Sequence, residues 1–498
     1  MFKKILIVNR GEIAVRIVKA CRELQIKSAV IYSEADLNSL HVRVADEAFL
    51  IGPAPASESY LNIDKIIELA KKVNADAIHP GYGFLSENAE FIKRVEDSGI
   101  NFIGPSSKSV KLMGSKTAAR TLMKKNNVPI VPGTTEPVKD FGEAKKIISQ
   151  IGLPVMIKAA AGGGGKGMRR IFKEEEIEST LDRAKNEALK HVGNPEIYIE
   201  KLIEDPKHIE VQVIADKSGN YVHLFERECS VQRRHQKVIE EAPSAAVDEN
   251  TRSKITLAAL NAAKACGYYN AGTVEFLMDK NKDFYFLEMN TRLQVEHPVT
   301  EMITGIDIVK EQINIASGKN LSFKQNEVKK RGAAIECRIY AEDIDNNFSP
   351  STGKILHHRM PSGPGIRIDR GIDLLSDVSV HYDPMLSKVV AWGKDREEAI
   401  VRMKQALGAY QIAGVVTNIT AFKWLLNRKS FLDGSFTIDF IEDEFLPLVP
   451  DEWKKEIGAK YEDVISILAA LLKSKEIEIK PVDTGISPNN LWNKNNHE

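Results

Sequence analysis

The chain of 498 residues is long enough for about three domains. Its 69 basic and 69 acidic side chains cancel, which excludes the basic excess of a dedicated nucleic-acid binder, and 43% hydrophobic residues suffice for buried cores. Four widely spaced cysteines, Cys21, Cys229, Cys266 and Cys337, form no Cys-x-x-Cys pair, and nowhere do 18 apolar residues run together. The expectation is free thiols in a cytoplasmic protein with neither a membrane nor a nucleic-acid partner.

The N-terminus opens with Lys3-Lys4 before an apolar stretch, as a signal peptide does, but the stretch ends after four residues and reads as a buried strand. Residues 1–113 then alternate strands (5–9, 28–32, 77–79) with helical periods (14–24, 64–73), an α/β unit with a parallel sheet. The turn after the first strand lacks the three spaced glycines of a dinucleotide fingerprint. The loop 79–84 follows a strand, where open α/β sheets bind ligands. Residues 114–330 form a second unit, in which Ser115-Lys116-Thr117-Ala118 opens a helix. A lysine in a first turn opposes the helix dipole, so it is either solvated or faces an anion. Residues 130–204 read as a mobile lid, ending in a strand at 197–203. Residues 331–447 alternate strands (333–339, 388–392) with a helix at 396–409, a third α/β domain. In the tail, 448–498, residues 452–473 are amphipathic and helical, and 477–498 are polar, as disordered segments are.

Two stretches carry chemistry. The first is Lys158-Ala159-Ala160-Ala161-Gly162-Gly163-Gly164-Gly165-Lys166-Gly167-Met168. Successive glycines are costly to order, yet they bare backbone N–H groups to an anion, with Lys158 and Lys166 adding charge. The loop reads either as a flexible turn or as a polyphosphate cover. It is not a Walker A motif, since no Gly-Lys-Ser/Thr closes it. The second is a hairpin of strands 271–279 and 284–290. A four-residue turn puts Asp279 opposite Phe284 and therefore Glu275 opposite Glu288. Paired carboxylates destabilise a sheet unless a cation lies between them, and hard oxygen ligands beside phosphate suit magnesium or manganese. Glu288, Asn290 and Arg292 share a strand face, and Gln294 and Glu296 continue the spacing.

These blocks, together with Asn9-Arg10-Gly11-Glu12-Ile13-Ala14, the run 79–88 (His-Pro-Gly-Tyr-Gly-Phe-Leu-Ser-Glu-Asn), the run 226–237 (Glu-Arg-Glu-Cys-Ser-Val-Gln-Arg-Arg-His-Gln-Lys) and the run 286–297, resemble the signatures of biotin carboxylases over roughly residues 1–447. The resemblance implies a three-domain ATP-grasp architecture: an N-terminal domain (1–113), an ATP-grasp core (114–330, lid about 130–204) and a C-terminal domain (331–447). It also implies ATP-dependent carboxylation of biotin through carboxyphosphate. ATP would meet Lys116, Lys158, the loop Gly162, Gly163, Gly164, Gly165, Lys166, Gly167 and Met168, then Glu200, Lys201, Ile203, His208, Gln232, His235 and Leu277. Two Mg2+ or Mn2+ ions would bind Glu275 and Glu288, with Asn290 nearby. Lys237, Arg292, Gln294 and Val295 would hold bicarbonate. Tyr82, Gly83 and Arg338 would hold biotin. Lys237, Arg292, Glu296 and Arg338 form the implied catalytic set, with Glu296 as the base. A homodimer is expected on the same ground.

The carrier motif of such enzymes centres on Ala-Met-Lys-Met, and no Met-Lys-Met occurs here. The expectation is biotin on a separate carrier protein and a separate carboxyltransferase. The acyl acceptor is not encoded. Two alternatives stand beside this reading: another ATP-grasp carboxylate–amine ligase, and a catalytically silent scaffold within a carboxylase complex.

Overall fold

In a computed structural model, residues 1–134, 136–159, 169–192 and 196–448 are described. The glycine run 162–168 and the amphipathic segment 452–473 lie outside the described residues.

The N-terminal segment is a five-stranded parallel sheet in the order Glu47–Gly52, Lys27–Ser33, Lys4–Ile7, Ala77–His79, Asn101–Phe102. Parallel neighbours need crossovers, and the helices Gly11–Glu23, Ile63–Lys72 and Ala89–Asp97 supply them. Asn62 and Asn88 cap the latter two, their side chains accepting from Lys65 N and Phe91 N. Strand order reverses between Lys4–Ile7 and Ala77–His79, so their carboxyl ends open a crevice. The turns 9–12 and 80–84 meet there, where the Asn9 amide donates to the carbonyls of Pro80 (2.6 Å) and Tyr82 (2.7 Å).

An eight-stranded antiparallel sheet forms the body. Its order is Phe284–Asn290, Asn270–Met278, Lys207–Ala215, Tyr221–Arg233, Gln236–Ala242, Ala333–Tyr340, Met385–Gly393, Ile366–Arg370. The last three strands belong to the C-terminal segment. They extend the sheet because Gln236–Ala242 pairs with Ala333–Tyr340, leaving no edge between the two segments. The long helices Glu249–Ala265 and Arg396–Ala409 pack on this sheet.

A smaller sheet, Arg169–Ile171, Val155–Ala159, Ile197–Lys201, has its own core of Val155, Ile157, Ile171, Leu181, Ile197 and Ile199 under the helices Phe141–Ile151 and Ile177–Val192. The strands flanking the glycine run pair antiparallel, Val155 with Ile171.

Most expected elements appear within a residue or three of the expected bounds. The hairpin is instructive. The structure pairs Met278, not Asp279, with Phe284; an irregularity between Glu275 and Phe276 then shifts the register by one residue. The shift restores the expected facing of Glu275 and Glu288. Bulges of this kind re-aim side chains beside functional sites. The strand also ends at Asn290, so alternation does not carry Gln294 and Glu296 into place. Glu296 arrives instead as the residue preceding the helix His297–Thr304.

The C-terminal segment touches the N-terminal turn backbone to backbone. A Cβ on Gly371 would lie 2.6 Å from Glu12 N and 2.9 Å from the Gly11 carbonyl carbon. Overpacking against backbone cannot be relieved by rotamer change. Gly371→Ala should therefore lower unfolding free energy by about 1–3 kcal/mol. Chemical denaturation measures it, and an unchanged midpoint would show that the two segments do not press together there.

Candidate functional site

Four adjacent strands place Glu288, Glu275, Glu210 and Arg227 in one cross-strand row. Three carboxylates side by side repel one another, so the row needs cations. Arg227, with no exposed surface, is satisfied throughout: it pairs with Glu210 through Nε and donates to Gln212 Oε1 (2.8 Å), Thr300 Oγ1 (2.9 Å) and Thr273 Oγ1 (3.1 Å). From the next strand Lys237 reaches in. Its ammonium bonds to Glu210, to Glu275 Oε1 (2.8 Å) and to Glu296 Oε1 (2.8 Å). Burial opposes its charge, but the three carboxylates win and hold its pKa well above the usual lysine value.

Glu275 is the hub of the row. Its Oε1 also accepts from Asn290 (2.8 Å) and Gln294 (2.9 Å), and its Oε2 lies 3.0 Å from His208 Nε2. The Gln232 amide meets His208 Nδ1 at 3.1 Å; with its NH2 donating, the ring proton falls on Nε2. Burial alone would raise Glu275, yet Lys237 and His208 hold it well below the usual carboxylate range.

Glu288 opens onto the water of the cleft but sits below its rim. Reduced hydration and then the Glu275 charge push its pKa up, against Lys116. Two facing carboxylates, one without a strong partner, are a fitting cradle for a hard divalent cation. Lys116 begins the helix Lys116–Lys125, as expected, and burial lowers its pKa against the pull of Glu288.

Arg292 is more occupied than a free oxyanion fork. Nε binds Glu87 (2.8 Å), Nη1 donates to Leu293 O and Gln294 Oε1 (both 3.2 Å), and Nη2 donates to Asn290 Oδ1 (2.9 Å). Arg338 Nη2 holds Glu296 Oε2 (3.0 Å) and Glu240 Oε1 (2.5 Å), while its Nε has no hydrogen-bond partner. Burial would raise Glu296; Lys237, Arg338 and Arg227 hold it well below the usual range.

Lys116, His208, Lys237, Glu275, Glu288, Arg292 and Arg338 line a cavity of about 1070 Å³ running from the small sheet to the N-terminal crevice. At its far end lie Lys158, Glu200, Lys201, Ile203, His235 and Leu277. Glu200 ties that end together, accepting from Arg120 and from Lys158 Nζ (2.5 Å). The Lys201 ammonium turns aside to the carbonyls of Gly152 (3.3 Å) and Leu153 (2.8 Å). At the crevice end are Tyr82, whose hydroxyl donates to Glu12, and Gly83, with open space where a side chain would be. Val295 and Arg338 line the wall between. Glu296 does not line it: the carboxylate is fully buried, behind Lys237 and Arg338.

Sequence reasoning missed the supporting charges. Glu210 stands two residues from His208 on one strand face, a spacing that could have exposed it. Glu87 and Glu12 stand inside quoted motifs. Arg120 and Glu240 carry no local signal, because their partners are distant in sequence.

Three family models match in chain order: a biotin carboxylase N-terminal domain over residues 1–110, a carbamoyl-phosphate synthase L chain ATP-binding domain over 115–324, and a biotin carboxylase C-terminal domain over 336–443. One of the pyruvate carboxylase subunits of Methanothermobacter thermautotrophicus is 50% identical over 477 residues, covering 96% of this chain and 97% of its own. Biotin carboxylase 1 of Bacillus subtilis is 51% identical over 443 residues, covering 89% and 98%. Among solved structures, the biotin carboxylase domain dimer of Hydrogenobacter thermophilus 2-oxoglutarate carboxylase, in complex with MgADP, ADP and bicarbonate, superposes with a TM-score of 0.84 at 48% identity, covering 89% of this chain and 97% of its own. A Campylobacter jejuni biotin carboxylase–β-γ-ATP complex gives 0.86 at 45%, covering 89% and 99%.

The buried acids behind the wall make stability pH-dependent. Burial pushes Glu240 up to about 7, with Arg338 opposing. A carboxyl raised in the folded state keeps its proton there after the unfolded chain has lost it, so stability falls as pH rises through that interval. Glu240→Gln does not titrate. Relative to wild type it should gain on the order of 1–3 kcal/mol between about pH 5 and about pH 8. Parallel melting curves across that range would contradict the assignment.

Proposed function

The chain belongs to the biotin carboxylase family, and on that footing we propose what each side chain of the cavity does. The enzyme carboxylates biotin with bicarbonate at the expense of ATP. The observation that carries the residue roles is the Lys237 ammonium, which joins the metal-facing Glu275 to the buried Glu296 across one cavity.

Nucleotide lies along the far end. Its adenine and ribose meet Glu200, Lys201, Ile203, Gln232, His235, Leu277 and, further in, His208. Its phosphates meet Lys116, Lys158 and the loop Gly162–Met168. Glu275 and Glu288, with Asn290 beside them, hold the divalent cations. When bound, these ions neutralise the phosphate charge and polarise the γ phosphorus.

Bicarbonate occupies the space among Arg292, Lys237, Gln294 and the Val295 N–H. An anion arriving there competes with Glu296 for the Lys237 ammonium. As that ammonium turns toward it, Glu296 loses its strongest stabilising charge, gains basicity and is uncovered on Oε1. A bicarbonate oxygen then attacks the γ phosphorus and the bond to ADP breaks. The bicarbonate proton, made acidic by the new P–O bond, passes to Glu296. The product, carboxyphosphate, breaks down to carbon dioxide and phosphate. The released phosphate takes the proton from the biotin ureido nitrogen, and that nitrogen attacks the carbon dioxide. Arg338 offers its guanidinium to the developing ureido oxyanion, and Tyr82 and Gly83 frame biotin. Closure of the cleft over the substrates would keep water from the acyl phosphate.

The domain division at 113, 330 and 447, a lid spanning about 130–204, a homodimer, a separate biotin carrier, a separate carboxyltransferase and a cytoplasmic setting belong to the same proposal. Its supports are the separate hydrophobic core of the small sheet, a relative named as a carboxylase subunit, and a solved domain dimer. Among the described residues no helix is long and apolar enough to cross a membrane.

Purified chain with ATP, magnesium, bicarbonate and free biotin should release ADP at a rate that rises with biotin. Release indifferent to saturating biotin would overturn the function.

A further inference from the structure

Lys388 is a buried charge near the site that the chemistry above leaves unused. It lies in the strand Met385–Gly393, directly opposite Arg338 on the neighbouring strand. Two cations in cross-strand register repel, and a buried ammonium is retained only where partners compensate it. Its Nζ donates to the Val295 carbonyl (2.7 Å) and pairs with Glu12 Oε1 (3.1 Å). Glu12 also accepts from the Tyr82 hydroxyl, and its second oxygen, Oε2, is buried with no hydrogen-bond partner. The other carboxyls whose charge acts on Lys388 are Glu336, which burial pushes well up, and Asp369, which is spent on Arg367 (2.7 and 3.1 Å); burial pushes Glu12 up as well, with Lys388 opposing. Lys388 therefore connects three stretches distant in sequence: the turn bearing Glu12, the loop bearing Tyr82 and the peptide 295–296.

We propose that Lys388 and Glu12 form a buried strut that sets the Tyr82 loop at a fixed distance from the Val295–Glu296 peptide, and so aligns biotin with the carbon dioxide released at the bicarbonate pocket. The proposal rests on the roles assigned above to Tyr82, Val295 and Glu296. Both are positioning residues: neither carries a proton or bond of the reaction. Their removal leaves nucleotide binding in place, because the groups that hold nucleotide sit on other strands, and slows bicarbonate phosphorylation only as far as the Val295–Glu296 peptide shifts. What fails is the handover. Carboxyphosphate formed out of line with biotin reacts with water, giving phosphate and bicarbonate, and ATP is consumed without product.

The decisive quantity is carboxybiotin formed per ADP released, measured with labelled bicarbonate in the full chain. In Lys388→Met the ratio should fall roughly tenfold or more, the scale of loss expected when reacting groups are misplaced by a fraction of an ångström to an ångström. The KM for MgATP should stay within about twofold. Lys388→Arg, which keeps a cation in reach of Glu12, should recover part of the ratio. Loss of general structure would depress both products together and leave the ratio unchanged, which overturns the strut. Should Lys388→Met fail to fold, Glu12→Gln decides by the same ratio: a fall supports the strut and a wild-type ratio overturns it. If wild type itself makes no carboxybiotin, the assigned site roles fail, a result distinct from full coupling in every variant.

Discussion

One ammonium governs the site. Lys237 is shared by Glu210, Glu275 and Glu296, all buried, and among the described residues no other lysine pairs with all three. Taking one partner from a buried ion pair costs about 3–5 kcal/mol, because the remaining charge is stranded. Here three carboxylates would lose their shared cation at once, with Arg227, His208, Arg338 and the amides of Asn290 and Gln294 left to hold them among the described residues. The constraint is geometric as well as energetic. A lysine has three N–H donors, and all three are matched, so the carboxylates stand at fixed positions around a single atom. That arrangement keeps Glu275 and Glu296 on either side of one cationic centre.

The wider architecture reads as the means of building that centre. The eight-stranded sheet gives one face to a row of charges, and residues from both ends of the chain complete it. Glu288, Glu275, Glu210 and Arg227 come from four adjacent strands; Lys237 and Arg338 come from the next two. The strand extension beyond Gln236–Ala242 is therefore not incidental: without Ala333–Tyr340 docked there, Arg338 would be absent from Glu296. The parallel N-terminal sheet adds its switch-point crevice to the same cavity, closing the end at which Tyr82 and Glu12 stand. Bond making at carbon is left to the substrates, while the protein supplies charge, orientation and exclusion of water.

Much of this was legible from residues alone, and for identifiable reasons. Strands and helices of the N-terminal segment follow period and capping, both local properties. The facing of Glu275 and Glu288 was reached through a turn one residue out of register, corrected in the molecule by a bulge that no periodicity announces. Alternation after Asn290 misled about route though not about result: the chain leaves the sheet, and a helix start delivers Glu296. Arg292, expected to hold bicarbonate, is largely engaged by Glu87, Asn290 and Gln294, partners up to 205 residues away. Glu210, Lys388 and Glu12 were invisible as a set, because buried ion pairing is a property of packing between distant strands. The glycine run was the loudest signal in the sequence, yet it lies outside the described residues, and its flanking strands carry what the structure says of it.

On the proposed mechanism bicarbonate attacks the γ phosphate within this cavity, with the Lys237-centred carboxylates arranged around it. Heavy-oxygen-labelled bicarbonate tests that step directly, because the attacking oxygen stays on phosphorus when carboxyphosphate breaks down. With ATP, magnesium and biotin present, the phosphate released should carry one labelled oxygen derived from bicarbonate for each turnover. Phosphate free of the label, alongside normal carboxybiotin formation, would contradict the mechanism.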